Sequence, residues 1–137
     1  MKYFTFDELI RSEIAMKNNI ANMPFLYGEH DAYVNIMTLV KKLLDPIRER
    51  FATPVIVTSG YRCELLNRLV KGTEDSQHRE GKAADFYFAG FTTKEMTQAF
   101  FEIADSFDFD QLIYYKARHF IHISYNGTEN RHEAFIK

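Results

Sequence analysis

The chain has 137 residues, of which 46% are apolar or aromatic and 26% are charged, with a net charge of −2. That length and composition predict a single domain, residues 1–137, with enough apolar side chains for a core. The near-neutral charge provides no basic field for nucleic acid or an anionic membrane surface, and no apolar run could span a bilayer. The single cysteine, Cys63, excludes an internal disulfide framework.

The first part of the chain is predicted to be mainly helical. Thr5 and Glu8 have the spacing of a capping box, and the apolar residues after them predict a helix over roughly 6–16. Apolar residues recur at helical spacing over roughly 30–51, which predicts a long helix with its apolar side toward the core. Pro46 lacks a backbone donor, so we expect it to kink or divide this helix.

The rest of the chain alternates strand and helix patterns. The predicted strands are residues 54–58, 82–88, 111–115 and 120–125, and the predicted helices are residues 62–70 and 92–106. We expect the polar tail, residues 126–137, to pack loosely. This order of elements predicts an α+β fold, with a small, mainly antiparallel sheet and helices packed on it.

The most informative stretch is Ser76–Asp85, which reads SQHREGKAAD. We expect His78 at the end of a loop, Gly81 at a sharp turn, and Asp85 on the strand that follows. A third candidate ligand, His122, lies in a short apolar run far along the chain. Two imidazoles and one carboxylate are a common ligand set for a catalytic zinc, which keeps a fourth position open for water.

Strand alternation indicates which way two of these candidates face. In the predicted strand 82–88, Ala84, Phe86 and Phe88 share the apolar side, so Asp85 must lie on the other. The neighbours of His122 are isoleucines that point away from it, so its own side of the strand need not be core. Both ligands can therefore face one site.

The pattern S-x-H-x-x-G-x-A-x-D, formed by Ser76, His78, Gly81, Ala83 and Asp85, resembles the zinc site of the peptidase M15 family. The opening FTFDELIRSE is similar to that of small phage-type members of this family. Further resemblance lies in Val57–Asn67, Phe109–Tyr115 and Phe120–Asn126. Together these segments cover most of the chain after about residue 50.

The resemblance implies a fold, a cofactor and an activity. The fold is the zinc D-peptidase fold shared with Hedgehog-like domains, and the cofactor is Zn²⁺, held by His78, Asp85 and His122. The family includes D-Ala-D-Ala carboxypeptidases, D-Ala-D-Ala dipeptidases and phage endolysins that cut L-Ala-D-Glu bonds.

Three more residues receive roles through the resemblance. Arg62 would stabilise the developing oxyanion and contact the substrate, and Ser76 would form a hydrogen bond with the substrate.

The third residue is the candidate general base. Many members have a glutamate as general base three residues before the last histidine ligand, where this chain has His119. In a regular strand His119 and His122 face opposite sides, so His119 can act as base only if the strand begins after it or bulges. Each residue has an alternative without a functional role: Arg62 as a surface arginine, Ser76 as a loop-ordering serine and His119 as an exposed turn histidine. The other two histidines, His30 and His132, are expected to be solvated.

Two classes of function follow. The first is a zinc metallopeptidase that hydrolyses peptidoglycan stem peptides. We expect such a protein to be a monomer of phage or prophage origin. The second is a non-catalytic zinc-bearing module that binds cell wall or a partner protein, which the missing glutamate favours. The amino terminus is polar too soon for a signal peptide, so we expect a protein made in the cytoplasm and delivered to the wall, for example by a phage lysis system.

Overall fold

The computed structural model describes residues 1–137 as a set of short helices and one sheet. The α-helices are α1 (Phe6–Ile10), α2 (Glu13–Lys17), α3 (His30–Leu39), α4 (Asp45–Phe51), α5 (Glu64–Leu69) and α6 (Thr93–Ser106). The strands are β1 (Val55–Ser59), β2 (Ala83–Phe88), β3 (Gln111–Tyr115), β4 (Phe120–Ser124) and β5 (Glu133–Ile136). None of the helices has the length and apolar character needed to cross a membrane.

The five strands form one mixed sheet in the order β1-β2-β4-β3-β5. The pairings β1·β2, β2·β4 and β3·β4 are antiparallel, whereas β5 runs parallel to β3. The α+β class is confirmed, but the sheet is mixed because the tail adds a parallel strand at its edge.

The two faces of the sheet have different neighbours. One face carries the buried side chains of Ala84, Phe86 and Phe88 from β2, which join the helices in the main apolar cluster. The opposite face carries Asp85 and its neighbour across the ladder, His122. The helices therefore cover one side of the sheet and leave the other side for a site, as the alternation in β2 predicted.

The long predicted helix is interrupted just before its proline. Residues Val40–Leu44 form a π-helical turn between α3 and α4, and the Asp45 N–H bonds the Val40 carbonyl. Pro46 then lies in the first turn of α4, where a missing donor has little cost. The expected division of the helix is confirmed, and the wider turn is how the chain accommodates it.

The amino-terminal helix is shorter than predicted. Thr5 and Glu8 do form the capping box, but α1 ends at Ile10. The Ser12 hydroxyl then caps α2 by accepting a hydrogen bond from the Ala15 N–H. A second cap within the predicted helix starts a new helix, so the continuous helix over 6–16 is wrong.

The expectation of a loosely packed tail is also wrong. Strand β5 pairs with β3, and the Arg131 guanidinium donates to Asp110 at 2.9–3.0 Å. Asp110 also accepts from the Gln77 side chain at 2.7 Å. His132, expected to be solvated, is exposed, and its ring also stacks on Phe109 with ring centroids 4.2 Å apart. Asp110 thus ties the tail to the loop that carries His78.

Asp110 gives a prediction on stability. Hydrogen bonds from Arg131 lower the pKa of the Asp110 carboxyl to about 2, against a burial effect that raises it. A depressed folded-state pKa adds stability above the unfolded value of about 4, and that stability is lost as pH falls toward 2. Asp110→Asn should lower the free energy of unfolding by about 1–3 kcal/mol at pH 7.

Urea unfolding of the parent and variant at pH 7, 4 and 2.5 measures this effect. The difference between the two proteins should be constant above about pH 4 and shrink below it. Asp108→Asn is the matched control, because Asp108 is exposed and forms no ion pair. Equal stability of Asp110→Asn and Asp108→Asn at pH 7 would show that the tail does not depend on this contact.

Candidate metal centre

Three side chains from separate parts of the chain converge on the open face of the sheet. His78, Asp85 and His122 each offer one ligand atom, and these atoms all lie within 4.8 Å of one another. The Asp85 Oδ1 atom is 3.3 Å from His78 Nε2 and 2.9 Å from His122 Nδ1. Asp85 and His122 are direct neighbours in the β2·β4 ladder, so strand pairing fixes two of the three.

The third member, His78, is held by the loop that follows β1. Its Nδ1 atom lies 2.8 Å from the Gly60 carbonyl, and its own carbonyl accepts from the Arg62 N–H at 3.0 Å. The Gly60 carbonyl only accepts, so Nδ1 carries the hydrogen, and in the neutral ring Nε2 holds the lone pair that faces Asp85. A backbone carbonyl in this position is the usual partner of a metal-bound histidine, because it fixes the tautomer and the ring orientation.

Two glycines let the surrounding loops close on the site. A Cβ atom on Gly60 would lie 2.1 Å from the Leu9 carbonyl oxygen, so only glycine lets this loop touch α1. Gly81 has φ of +74°, and a Cβ atom there would lie 2.4 Å from the Ala32 carbonyl oxygen of α3. The sharp turn expected at Gly81 is confirmed, and its close contact with α3 sets the position of the His78 loop.

The electrostatics of the site centre on Asp85, which is only 8% exposed. Burial raises the pKa of the Asp85 carboxyl. The His78 and His122 imidazoles lower it by more than burial raises it, so the net shift is downward. The carboxylate is therefore ionised, and a buried anion needs positive charge close to it.

Arg62 supplies a cation beside the three ligand candidates. It lies in the loop before α5 rather than on the helix, and its guanidinium is 4.0 Å from Asp85 Oδ2 with the side chain 18% exposed. Its Nε–H donates to Ser59 Oγ at 3.3 Å, and Nη1 donates to Asn67 Oδ1 at 3.4 Å. A β-bulge between Val57 and Ser59 brings Ser59 opposite Asp85. Arg62 is thus a positioned, partly buried cation and not a surface arginine.

Ser76 lies in the cleft over this face, with its hydroxyl turned to its own loop. The Ser76 Oγ atom accepts from the His78 N–H at 3.3 Å. This bond orders the loop, while the hydroxyl proton remains available to a ligand in the cleft.

His119 lines the same cleft but is separate from the cluster of three. Strand β4 begins at Phe120, and His119 has left-handed backbone angles of φ 58° and ψ 45°. The direction of the His119 side chain is therefore not set by the alternation of β4. This meets the condition given above, that the strand begins after His119. The ring lies 6.2 Å from that of Tyr87, two residues along β2 from Asp85.

A further network behind the site was not predicted. Arg79 donates to Glu29 at 2.9 Å and to the Arg62 carbonyl at 2.8 Å, and the Tyr61 hydroxyl also bonds Glu29. These bonds join the start of α3 to both loops of the site. No local pattern indicates these bonds beyond the position of Arg79 next to His78, because the partners are 17, 32 and 50 residues apart.

The donor set fits zinc. Zinc prefers imidazole nitrogen and carboxylate oxygen, and a catalytic site keeps three protein ligands. His78 Nε2, His122 Nδ1 and a carboxylate oxygen of Asp85 are the atoms that could hold the ion, with the Gly60 carbonyl behind one of them. The three ligand candidates line the same cleft as Arg62 and His119.

The comparison with known families agrees with this geometry. The sequence profile described as Peptidase M15 matches residues 2–124 of the chain, which includes every residue of the site described above. No match is found among curated proteins.

The cluster predicts one zinc ion per chain. His78→Ala removes one of three ligands and should lose most of the bound zinc, measured by elemental analysis after dialysis against a weak chelator. His30→Ala is the control, since His30 is an exposed histidine outside the site. Undiminished zinc in folded His78→Ala protein, checked by circular dichroism, would disprove this ligand set.

Proposed function

The chain belongs to the peptidase M15 family, and on that basis we propose that it is a zinc metallopeptidase that hydrolyses stem peptides of peptidoglycan. The bond would be of the D-Ala-D-Ala or the L-Ala-D-Glu type. The observation that carries the proposal is the cluster of His78, Asp85 and His122 on the open face of the sheet, with the partly buried Arg62 beside it. A phage or prophage origin, with delivery to the wall by a lysis system, remains part of the proposal.

The residues of the site have distinct roles in this proposal. When bound, a zinc ion acts as a Lewis acid toward the scissile carbonyl and lowers the pKa of water. Arg62 stabilises the negative charge that develops on the carbonyl oxygen, from a position already fixed by Ser59 and Asn67. The Ser76 hydroxyl donates a hydrogen bond to the substrate backbone.

We assign the general base to His119. An imidazole can take a proton near neutral pH, and the left-handed backbone frees the ring from the strand alternation. Glu129 also lines the cleft and is the next candidate, whereas Glu133 is exposed and bonded to Gln111. In this scheme His119 accepts a proton from the attacking water and returns it to the leaving amine.

One observation favours the second candidate, a non-catalytic zinc-bearing module. His119 has its ring contact with Tyr87 and none with His122, and no carboxylate stands in the place of the family's glutamate. A module of this kind would keep the metal and the cleft but lack a proton acceptor at the right distance.

Digestion of purified sacculi distinguishes these two candidates. The zinc-loaded parent should release soluble stem-peptide fragments, a chelator should stop the release, and added zinc should restore it. If zinc-loaded parent protein releases no fragments from sacculi of several wall types, the non-catalytic candidate is favoured.

The same assay tests Arg62. Arg62→Ala should keep its zinc and lose about a hundredfold or more in rate, the usual effect of removing one oxyanion donor.

Variants at His119 test the base. His119→Ala should keep zinc bound but lose about a hundredfold or more in rate. His119→Glu should keep activity and move the acidic limb of the pH–rate profile down, because a free carboxyl titrates about two pH units below a free imidazole. Turnover of His119→Ala at the parent rate would make the histidine a turn residue, and Glu129→Gln would then be the variant to measure.

A further inference from the structure

The open face of the sheet continues past the metal ligands into a pair of stacked rings. Phe120 lies two residues before His122 in β4, so both side chains point to the same face. Tyr115 is the direct partner of Phe120 in the β3·β4 ladder. The two rings stack with centroids 4.7 Å apart and an angle of 20° between their planes. We call Tyr115 and Phe120 the aromatic pair.

A cation is held over this pair. Arg118 ends the short 3-10 turn Lys116–Arg118, and its guanidinium lies 5.2 Å from the centroid of the Phe120 ring. A guanidinium over an aromatic face is a favourable and partly ordered arrangement. Arg118 is exposed to solvent and lines the cleft, and the Phe120 ring gives its guanidinium a defined position there.

Arg118 differs from the other basic residues of the cleft in having no carboxylate partner. The cleft is lined by five lysines and arginines, and four of them are paired. The pairs are Arg11 with Asp7, Arg62 with Asp85, Lys82 with Glu80 and Arg131 with Asp110. Arg118 forms no ion pair and no side-chain hydrogen bond within the chain, so its donors are free for a ligand in the cleft.

The aromatic pair, over which Arg118 lies, is separated from His122 by about the length of two substrate residues. Phe120 and His122 are two positions apart on β4, which corresponds to about 7 Å. One residue of an extended peptide spans about 3.3–3.6 Å, so a peptide cleaved at the metal centre and extended along this face would pass the aromatic pair about two residues from the cleaved bond. Arginine binds carboxylates through two parallel hydrogen bonds, which makes a carboxylate the group best matched to this position.

We propose that Arg118, held on the aromatic pair, binds a carboxylate of the substrate that lies within about two residues of the cleaved bond. This inference rests on the proposed function. A stem peptide offers two such groups: the terminal carboxylate of a D-Ala-D-Ala end, and the free carboxylate that a D-glutamate keeps next to an L-Ala-D-Glu bond. Arg118 would therefore determine which stem peptides are cleaved, without taking part in the bond-breaking step.

Two pairs of synthetic stem peptides test the proposal. In one pair the terminal carboxylate is free or converted to a carboxamide, and in the other the glutamate carboxylate is changed in the same way. For zinc-loaded parent protein, one of the two amidations should raise KM roughly five- to tenfold and change kcat by less than about twofold. The pair that responds identifies the source of the carboxylate.

Variants connect this preference to the arginine. Arg118→Gln should lose the preference for the free acid, and Arg118→Lys should keep part of it because the charge remains. Arg48→Gln is the matched control, since Arg48 also lies over an aromatic ring, that of Tyr3 at 4.9 Å, but lies outside the cleft. Because each protein is compared on acid and amide forms of one peptide, a general effect on folding cancels.

The outcomes separate this inference from the proposed function. Cleavage of acid and amide forms with equal KM by the parent overturns the inference and leaves the peptidase proposal standing. The same holds if Arg118→Gln keeps the full preference. If the parent cleaves none of the peptides, the proposed function fails and the inference fails with it.

Discussion

The burial of one ionised carboxylate, that of Asp85, is the constraint on which the site depends. An unpaired carboxylate removed from water would destabilise the fold, so the chain must bring positive charge or a metal to it. It does so from three directions: His122 from the neighbouring strand, His78 from a loop and Arg62 from a second loop. The same cluster could hold a divalent cation, which would satisfy the carboxylate more fully than two imidazoles do.

The helices position the site although they lie largely on the other face of the sheet. Gly60 and Gly81 allow the backbone of the site loops to touch α1 and α3 at distances that no side chain would permit. Arg79 and Glu29 add a link from the start of α3 to the loop that carries Arg62. Packing of the helices therefore fixes loops that would otherwise be mobile, and a metal site needs its ligands held to within about 0.5 Å.

The sequence predicted those features that depend on local patterns. Alternation in residues 82–88 predicted both the strand β2 and the side on which Asp85 lies, because successive side chains of a strand point to opposite faces of the sheet. The same reasoning failed for the tail, where β5 is exposed along its whole length and its apolar residues, Ala134–Ile136, are consecutive and do not alternate with polar ones. It also failed at Asp110, whose partners come from distant parts of the chain. Non-local polar contacts leave no periodic signal in a sequence, so only the folded structure identifies them.

Thermal unfolding with added metal tests most directly the claim that this face of the sheet is built to hold one zinc ion. A ligand that binds only the folded state raises its stability by RT ln(1 + [L]/Kd), about 2.7 kcal/mol at a hundredfold excess over Kd. The account predicts that Tm rises steeply as the first equivalent of zinc is added and only logarithmically with further zinc. Magnesium should have little effect, because it prefers oxygen ligands. A Tm that does not change with zinc, for protein first stripped by a chelator, would contradict the account.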